Sequence, residues 1–163
     1  MSVDVTDTAG VKAFVDEVAA AWGGVDCLIN NAGQGRVSRF SDTGDAEWRE
    51  ELELKFFSVI RPLRAFMAML EKSPCAAVVC VNSLLAAQPE PHMVATSAAR
   101  AGVLNLSHSL GIELAPKKIR VILMQGIKRQ IRLMQSHQAA QSSWSFGGRP
   151  NRGQGIDIPG SRP

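Results

Sequence analysis

The chain has 163 residues, of which 45% are hydrophobic and 20% are charged, a composition typical of one soluble globular domain. No run approaches the ~20 consecutive apolar residues of a membrane span, and the N-terminus lacks the basic start and apolar stretch of a signal peptide. The three cysteines form no CxxC pair, and Cys27 and Cys80 lie in apolar runs. This pattern predicts buried, reduced thiols in a cytoplasmic protein without a membrane partner.

The net charge of +3 hides an uneven distribution. Residues 1–125 hold 12 Lys and Arg against 14 Asp and Glu, whereas residues 126–163 hold 6 against 1. The second part is rich in Gln, Ser, Gly, Arg and Pro, and has too few apolar groups to offset an ordering cost of about 1–2 kcal/mol per residue. We therefore predict a disordered basic tail over 127–163. Its basic residues are scattered rather than clustered, which does not favour nucleic-acid binding.

The first half of the chain predicts two helices around a short strand. Asp7 is a helix-capping residue, and helical spacing of apolar residues follows it over about 8–21 until Gly23 and Gly24. Residues 25–30 then form an apolar run typical of a buried strand. A long amphipathic helix is predicted over about 45–71, with a kink at Pro62 because proline cannot donate the helical hydrogen bond.

The second half predicts two strands around one helix. Residues 76–81 are continuously apolar, as in strands of parallel sheets that are buried on both faces. A helix of small residues follows over about 93–114, and a third strand over 119–124. Strands that alternate with long helices predict an α/β fold, a partial doubly wound parallel sheet over residues 1–126.

Three short motifs occur in this framework. Asn30-Asn31-Ala32-Gly33 directly follows the first strand, and Ser83, which ends the second strand, lies 53 positions after Asn30 and 13 before Thr96. The third motif is Thr96-Ser97-Ala98-Ala99-Arg100. Together they resemble the short-chain dehydrogenase/reductase family, in which the last stretch usually reads Tyr-Ser-Ala-Ser-Lys. The resemblance covers about residues 3–126 and implies a Rossmann-like domain.

The resemblance implies NAD- or NADP-dependent oxidation of an alcohol or reduction of a carbonyl. At the family's cofactor positions stand Asp4, which would contact adenine, and Asn30, Ala32 and Gly33. The small residues would let the backbone approach the adenosine ribose, and an asparagine side chain can tie neighbouring strands together. Ser83 would orient the substrate. The long helices at about 45–71 and 93–115 would form a homo- or hetero-oligomer interface.

The positions for proton transfer depart from the family. Thr96 stands where the family has its catalytic tyrosine, and an aliphatic hydroxyl is a poor general acid or base near neutral pH. Arg100 stands where the family has lysine; it could contact a ribose or phosphate, or be an exposed helix cation. Lys55 occupies the position of a proton-relay asparagine. It could be a replacement base, or a lysine on the helix surface.

The family's TGxxxGxG turn, which holds the cofactor pyrophosphate, does not occur in the sequence. By resemblance the three predicted strands are the family's fourth, fifth and sixth, so both edges of the sheet should be open and prone to association. The sequence thus predicts a truncated, catalytically impaired family member. Two alternatives stay open: a non-catalytic module that pairs with a full-length relative, and the product of a decayed gene.

Overall fold

The computed structural model describes residues 2–125, and the predicted tail over 127–163 lies outside them. The described part alternates helices and strands, as the sequence predicts. Its helices and strands are α1 (Thr8–Trp22), β1 (Cys27–Asn30), α2 (Asp45–Leu52), a π-helical turn (Glu53–Phe57), α3 (Ser58–Leu70), β2 (Ala77–Val81), α4 (Val94–Leu114) and β3 (Arg120–Met124). No helix within residues 2–125 combines the length and apolarity that crossing a membrane requires.

The bounds of α1 follow from its capping residues. The Asp7 carboxylate accepts a hydrogen bond from the Ala9 N–H at 3.0 Å, which satisfies a donor that the first turn leaves free. At the other end Gly23 adopts φ 75° and donates its N–H to the Ala19 carbonyl. Glycine adopts this left-handed conformation without a steric penalty, so the helix ends there.

The predicted long helix over 45–71 is not continuous. It is divided by the π-helical turn, in which the Ser58 N–H donates to the Glu53 carbonyl five residues earlier. Pro62 lies inside α3, so the irregular backbone is one turn upstream of the proline rather than at it. A π-helical turn accommodates an extra residue, which changes the face that the preceding helix presents to its neighbours.

The three strands form a parallel sheet in the order β1-β2-β3, with β1 and β3 at its edges within the described residues. The register aligns Leu28 with Val78 and Val78 with Val121. On this face of the sheet, Val78 and Cys80 are fully buried in a core with residues of α1, α3 and α4. Right-handed connections between parallel strands that succeed each other in one direction place their helices on one face, as seen here.

The opposite face of the sheet carries no packed helix within residues 2–125. Along it, Ile29, Ile122 and Met124 are 62%, 42% and 48% exposed. Cys27 is also exposed there, so the prediction that both Cys27 and Cys80 are buried is wrong for Cys27. The side chain points away from the helices, and the apolar run around it does not reveal that direction.

Candidate active site

Helix α4 begins at Val94 beside the loop that connects β1 to α2. Ser38 of that loop is buried; its Oγ accepts a hydrogen bond from the Ala95 N–H at 3.1 Å, and its carbonyl accepts one from the Val94 N–H. Met93 at the helix N-cap has no capping side chain. Ser38, which is distant in sequence, therefore accepts hydrogen bonds from two free N–H groups in the first turn of α4, the helix that carries Thr96 and Arg100.

Thr96 is buried, and its hydroxyl points towards α2. Its Oγ1 lies 2.6 Å from Glu51 Oε2 and 3.3 Å from the Arg36 carbonyl oxygen. A threonine hydroxyl carries one hydrogen, and the shorter contact to a charged acceptor takes it. The Thr96 side chain is thus a hydrogen-bond donor to a carboxylate inside the protein.

The same carboxylate oxygen also holds Lys55. Lys55 Nζ lies 2.6 Å from Glu51 Oε2, and the two side chains are 0% and 2% exposed. Glu51 belongs to α2, whereas Lys55 belongs to the π-helical turn, so the pair spans the irregular backbone. The surface position considered for Lys55 is wrong, because its ammonium group is enclosed and paired.

Arg100 is hydrogen-bonded to the end of the second strand. Its Nη1 donates to the Val81 carbonyl at 3.0 Å, and its own carbonyl accepts a hydrogen bond from Asn82 Nδ2 at 3.0 Å. Burial lowers the pKa of the Arg100 guanidinium, and the negative charge of Glu51 acts in the opposite direction. The exposed helix cation considered for Arg100 is therefore wrong as well.

The Arg100 guanidinium lies close to the backbone of Gly33. A Cβ atom added to Gly33, which has φ 155°, would lie 3.2 Å from Arg100 Nη2. The Asn-Asn-Ala-Gly motif and the arginine at the family's lysine position are therefore neighbours at the carboxyl ends of β1 and β2. Ligands of open α/β sheets bind at such strand ends.

Ser83 follows β2 and is half-buried. Its Oγ accepts a hydrogen bond from the Leu85 N–H at 3.3 Å and so caps a short 3₁₀ turn, while its own N–H donates to Asn82 Oδ1. Asn82 thereby joins Ser83 to Arg100. The hydroxyl hydrogen of Ser83 has no acceptor within residues 2–125, which leaves it available for a ligand oxygen.

The residues predicted for adenosine lie on the β1 side. Asn30 is 9% exposed, and its Nδ2 has no hydrogen-bond partner among residues 2–125. Asn30 and Ala32 line a cavity of about 150 Å³, together with Val5, Phe14 and Ser58. Buried amide donors are rarely left unpaired, so this donor is suited to a ligand or an ordered water.

Asp4 is occupied by its own turn. Its Oδ1 accepts hydrogen bonds from the Thr6 N–H at 2.8 Å and from the Thr6 hydroxyl at 2.7 Å. The backbone donor, followed by the hydroxyl, lowers the pKa of the Asp4 carboxyl. Through these two hydrogen bonds, Asp4 stabilises the turn that precedes α1.

The structure thus joins Thr96 and Lys55 through Glu51, and joins Arg100 to Ser83 through Asn82. Sequence reasoning did not identify Glu51, Asn82 or Ser38. The spacing of Glu51 and Lys55, four residues apart, was a usable signal, but such pairs are common on exposed helix surfaces. Nothing in the sequence marks Ser38 as the partner of a helix 57 residues later.

A family model described as short chain dehydrogenase matches residues 1–131. Among solved structures, a short-chain oxidoreductase from Pseudomonas aeruginosa PAO1, described as containing an atypical catalytic center, was solved in its apo form. It is 54% identical, with a TM-score of 0.73, over 80% of this chain and 52% of that one. The NADPH-bound structure of a short-chain oxidoreductase from the same organism, also described with an atypical catalytic center, is 51% identical. Its TM-score is 0.72, over 87% of this chain and 55% of that one.

Curated relatives include the 3-oxoacyl-[acyl-carrier-protein] reductase of Salmonella typhimurium. It is 31% identical over 121 residues, which are 74% of this chain and 50% of the reductase. The chain therefore spans about half the length of the curated relatives it matches.

Proposed function

Because the chain belongs to the short-chain dehydrogenase family, we propose that it is the substrate-side half of an NAD(P)-dependent oxidoreductase of alcohols or carbonyl compounds, with impaired proton transfer. The observation that carries this proposal is the position of Thr96, which replaces the family tyrosine and donates its only hydroxyl hydrogen to Glu51. The group at the family's acid/base position is therefore both weakly acidic and already paired.

The other residues of the site have distinct tasks in this proposal. Ser83, whose hydroxyl hydrogen is free among the described residues, donates to the substrate oxygen. Arg100 keeps a positive charge beside the carboxyl ends of β1 and β2, but a guanidinium does not release protons near neutral pH. Lys55 is the remaining group able to give a proton, and its Nζ is held in an ion pair with Glu51 at 2.6 Å.

The residues present fit one side of a dinucleotide. The close backbone at Gly33 would hold the ribose end, with Asn30 and Ala32 next to it in the same motif, and Asp4 lies just before α1. When bound, the nicotinamide supplies or accepts the hydride. The glycine-rich turn that holds the pyrophosphate is not in this sequence, so the chain alone does not bind the dinucleotide.

The 54% identical Pseudomonas aeruginosa oxidoreductase with an atypical catalytic center supports reading the changed residues as an altered centre rather than as random decay. The NADPH-bound structure of the relative that is 51% identical makes NADPH the cofactor to test first.

A second candidate function is a non-catalytic module that pairs with a full-length relative. The exposed sheet face with Ile29, Ile122 and Met124 favours it, because contiguous apolar surface of this kind marks an interaction site. In this case the half-site would serve assembly, and no variant of Thr96 would acquire activity.

The decisive experiment joins the whole segment of the Pseudomonas aeruginosa oxidoreductase that precedes its matched region to the front of this chain. NADPH consumption is then followed with a panel of simple ketones and aldehydes. We expect turnover at least about 100-fold slower than in the matched Thr96→Tyr/Arg100→Lys variant of the joined protein, since a positioned acid typically contributes 10²–10⁴-fold.

The same double variant in the unjoined chain is the control, and it should show no turnover. Equal rates for the joined protein with and without the two substitutions would contradict impairment. Inactivity of both versions despite NADPH binding would favour the assembly module.

A further inference from the structure

We infer that Glu51 is a positioning residue of this centre, which fixes the direction of the Thr96 hydroxyl and keeps Lys55 enclosed as an ammonium. The inference deepens the proposed function and rests on it. One oxygen of Glu51, Oε2, lies 2.6 Å from both Thr96 Oγ1 and Lys55 Nζ. Three side chains from α2, the π-helical turn and α4 therefore meet at a single acceptor.

Burial makes this acceptor indispensable for Lys55. Lys55 is 1% exposed, and its Nζ forms an ion pair with Glu51 but has no hydrogen-bond partner among residues 2–125. A buried ammonium without a counter-charge either loses its proton or draws the side chain out to solvent. The enclosed position of Lys55 thus depends on Glu51.

Glu51 also acts on the arginine at the family's lysine position. Burial lowers the pKa of Arg100, and the Glu51 charge opposes that change. The carboxylate therefore balances the charge of the buried Lys55 and, in part, that of the half-buried Arg100. This shared role separates Glu51 from the neighbouring Glu50, which forms an exposed ion pair with Arg36.

The backbone holds the three groups in register. A Cβ atom added to Gly102 would lie 3.2 Å from Cε2 of Phe56, so the π-helical turn lies directly against α4. This close approach, two turns after Thr96, fixes how α2 and the turn face α4. The Glu51–Thr96 contact is then a property of the fold and not of one mobile side chain.

As a consequence, the hydroxyl group of Thr96 points in one fixed direction. Because the Thr96 hydrogen is given to Glu51, the free lone pairs of Thr96 can only accept a hydrogen bond from a ligand. Ser83 and the remaining N–H groups of Arg100 can donate hydrogen bonds to a substrate oxygen, and Lys55, when the pair opens, can give it a proton. Glu51 therefore decides which group of the centre delivers a proton.

The first test uses the full chain with labelled threonine methyl groups and lysine ammonium groups, observed by NMR. We expect one Thr96 rotamer and a protected Lys55 ammonium signal in the native chain. The double variant Glu51→Leu/Lys55→Met removes the acceptor of Thr96 and also the buried cation, so neither charge of the ion pair is left alone and the fold is retained. In this variant we expect Thr96 to populate a second rotamer to at least about 30%. In Glu51→Gln, which keeps the shape but not the charge, the Lys55 ammonium signal should be lost.

Glu50→Gln is the matched control, because it removes a carboxylate from the same helical turn and should change neither signal. An unchanged Thr96 rotamer in the double variant, or an unchanged Lys55 signal in Glu51→Gln, would overturn the assignment. These measurements need no cofactor or substrate, so the assignment can fail while the proposed function stands.

The second test measures catalysis in the joined protein described above. Glu51→Gln should lower kcat for NADPH-dependent carbonyl reduction at least about tenfold, with KM within about twofold, as expected for loss of proton delivery rather than binding. Equal kcat values for Glu51→Gln and Glu50→Gln would contradict a role of Glu51 in the reaction. If the joined protein and its Thr96→Tyr/Arg100→Lys variant are both inactive, the proposed function fails while the NMR result on Glu51 remains valid.

Discussion

The two sides of the site differ in how their polar groups are satisfied. On the α4 side, Thr96 and Lys55 share one oxygen of Glu51, and all three side chains are buried. On the β1 side, the equally enclosed Nδ2 of Asn30 has no partner among the described residues and lines a cavity. The Thr96 hydroxyl is therefore satisfied from within the protein, whereas the amide nitrogen of Asn30 is left for a group that residues 2–125 do not supply.

Binding of NADPH by the chain alone would contradict this difference between the two sides most clearly. We expect no binding, because the β1 side can hold one end of a dinucleotide but no glycine-rich turn is present for the pyrophosphate. Calorimetric titration of NADPH into the full chain measures this directly. A Kd of ~1 μM or lower, about −8 kcal/mol, would mean that the β1 side can bind the dinucleotide without the glycine-rich turn.

The next largest contrast concerns the free energy of unfolding. Lys55→Met should lower it by about 3–5 kcal/mol, because the carboxylate of Glu51 is left enclosed without its cation. Asn30→Leu should change it by less than about 1 kcal/mol, because the amide nitrogen has no hydrogen bond to lose. Urea unfolding curves compare the two, with the exposed Lys72→Met as control. Similar losses at positions 55 and 30 would remove the distinction between the two sides.

A smaller difference in stability is expected between variants of Thr96, on the α4 side, and of Ser83, which follows β2. Thr96→Val removes a hydrogen bond to a charged acceptor and should cost about 1.5–3 kcal/mol. Ser83→Ala removes only the cap of a 3₁₀ turn and should cost about 0.5–1 kcal/mol. Thermal unfolding of both variants ranks them. The reverse order would show that Ser83, and not Thr96, is the better anchored residue.

The smallest effect belongs to Asp4 on the β1 side. Hydrogen bonds from Thr6 lower the pKa of Asp4 below its ordinary value of 3.8. The ionised carboxylate therefore stabilises the fold above that value, and the contribution disappears as the pH falls through the lowered pKa. The Thr6 amide resonance should titrate with a midpoint below 3.8, and Asp4→Asn should abolish that titration. A midpoint at or above the ordinary value would show that Asp4 is free for a ligand.

The architecture could be predicted from the sequence because local signals agreed with one another. Asp7 and Gly23 mark both ends of α1, and the apolar runs mark three strands whose order and direction the family resemblance implies. The resemblance itself is confirmed by the family match over residues 1–131. Such features depend on neighbouring residues and on repeating patterns, which a single sequence displays.

The candidate site was only partly predictable. The positions of Ser83, Thr96 and Arg100 follow from motif spacing, but the partner of Thr96 lies 45 residues earlier. Glu51 resembles any helix glutamate until the π-helical turn is known, and helical periodicity does not reveal such a turn. The exposure of Cys27 likewise depends on which face of the sheet the helices cover, which the apolar run does not determine.

The π-helical turn also makes the centre sensitive to the number of residues as well as to their identity. Deletion of one residue between Glu53 and Phe57 would turn this segment into regular α-helix and rotate α2 by about 100° relative to α3. Glu51, Lys55 and Thr96 would all remain in the sequence, yet the carboxylate would face another neighbour. Relatives that share these side chains but differ by one residue in this turn would therefore have different centres, and an alignment that counts only matching residues would not distinguish them.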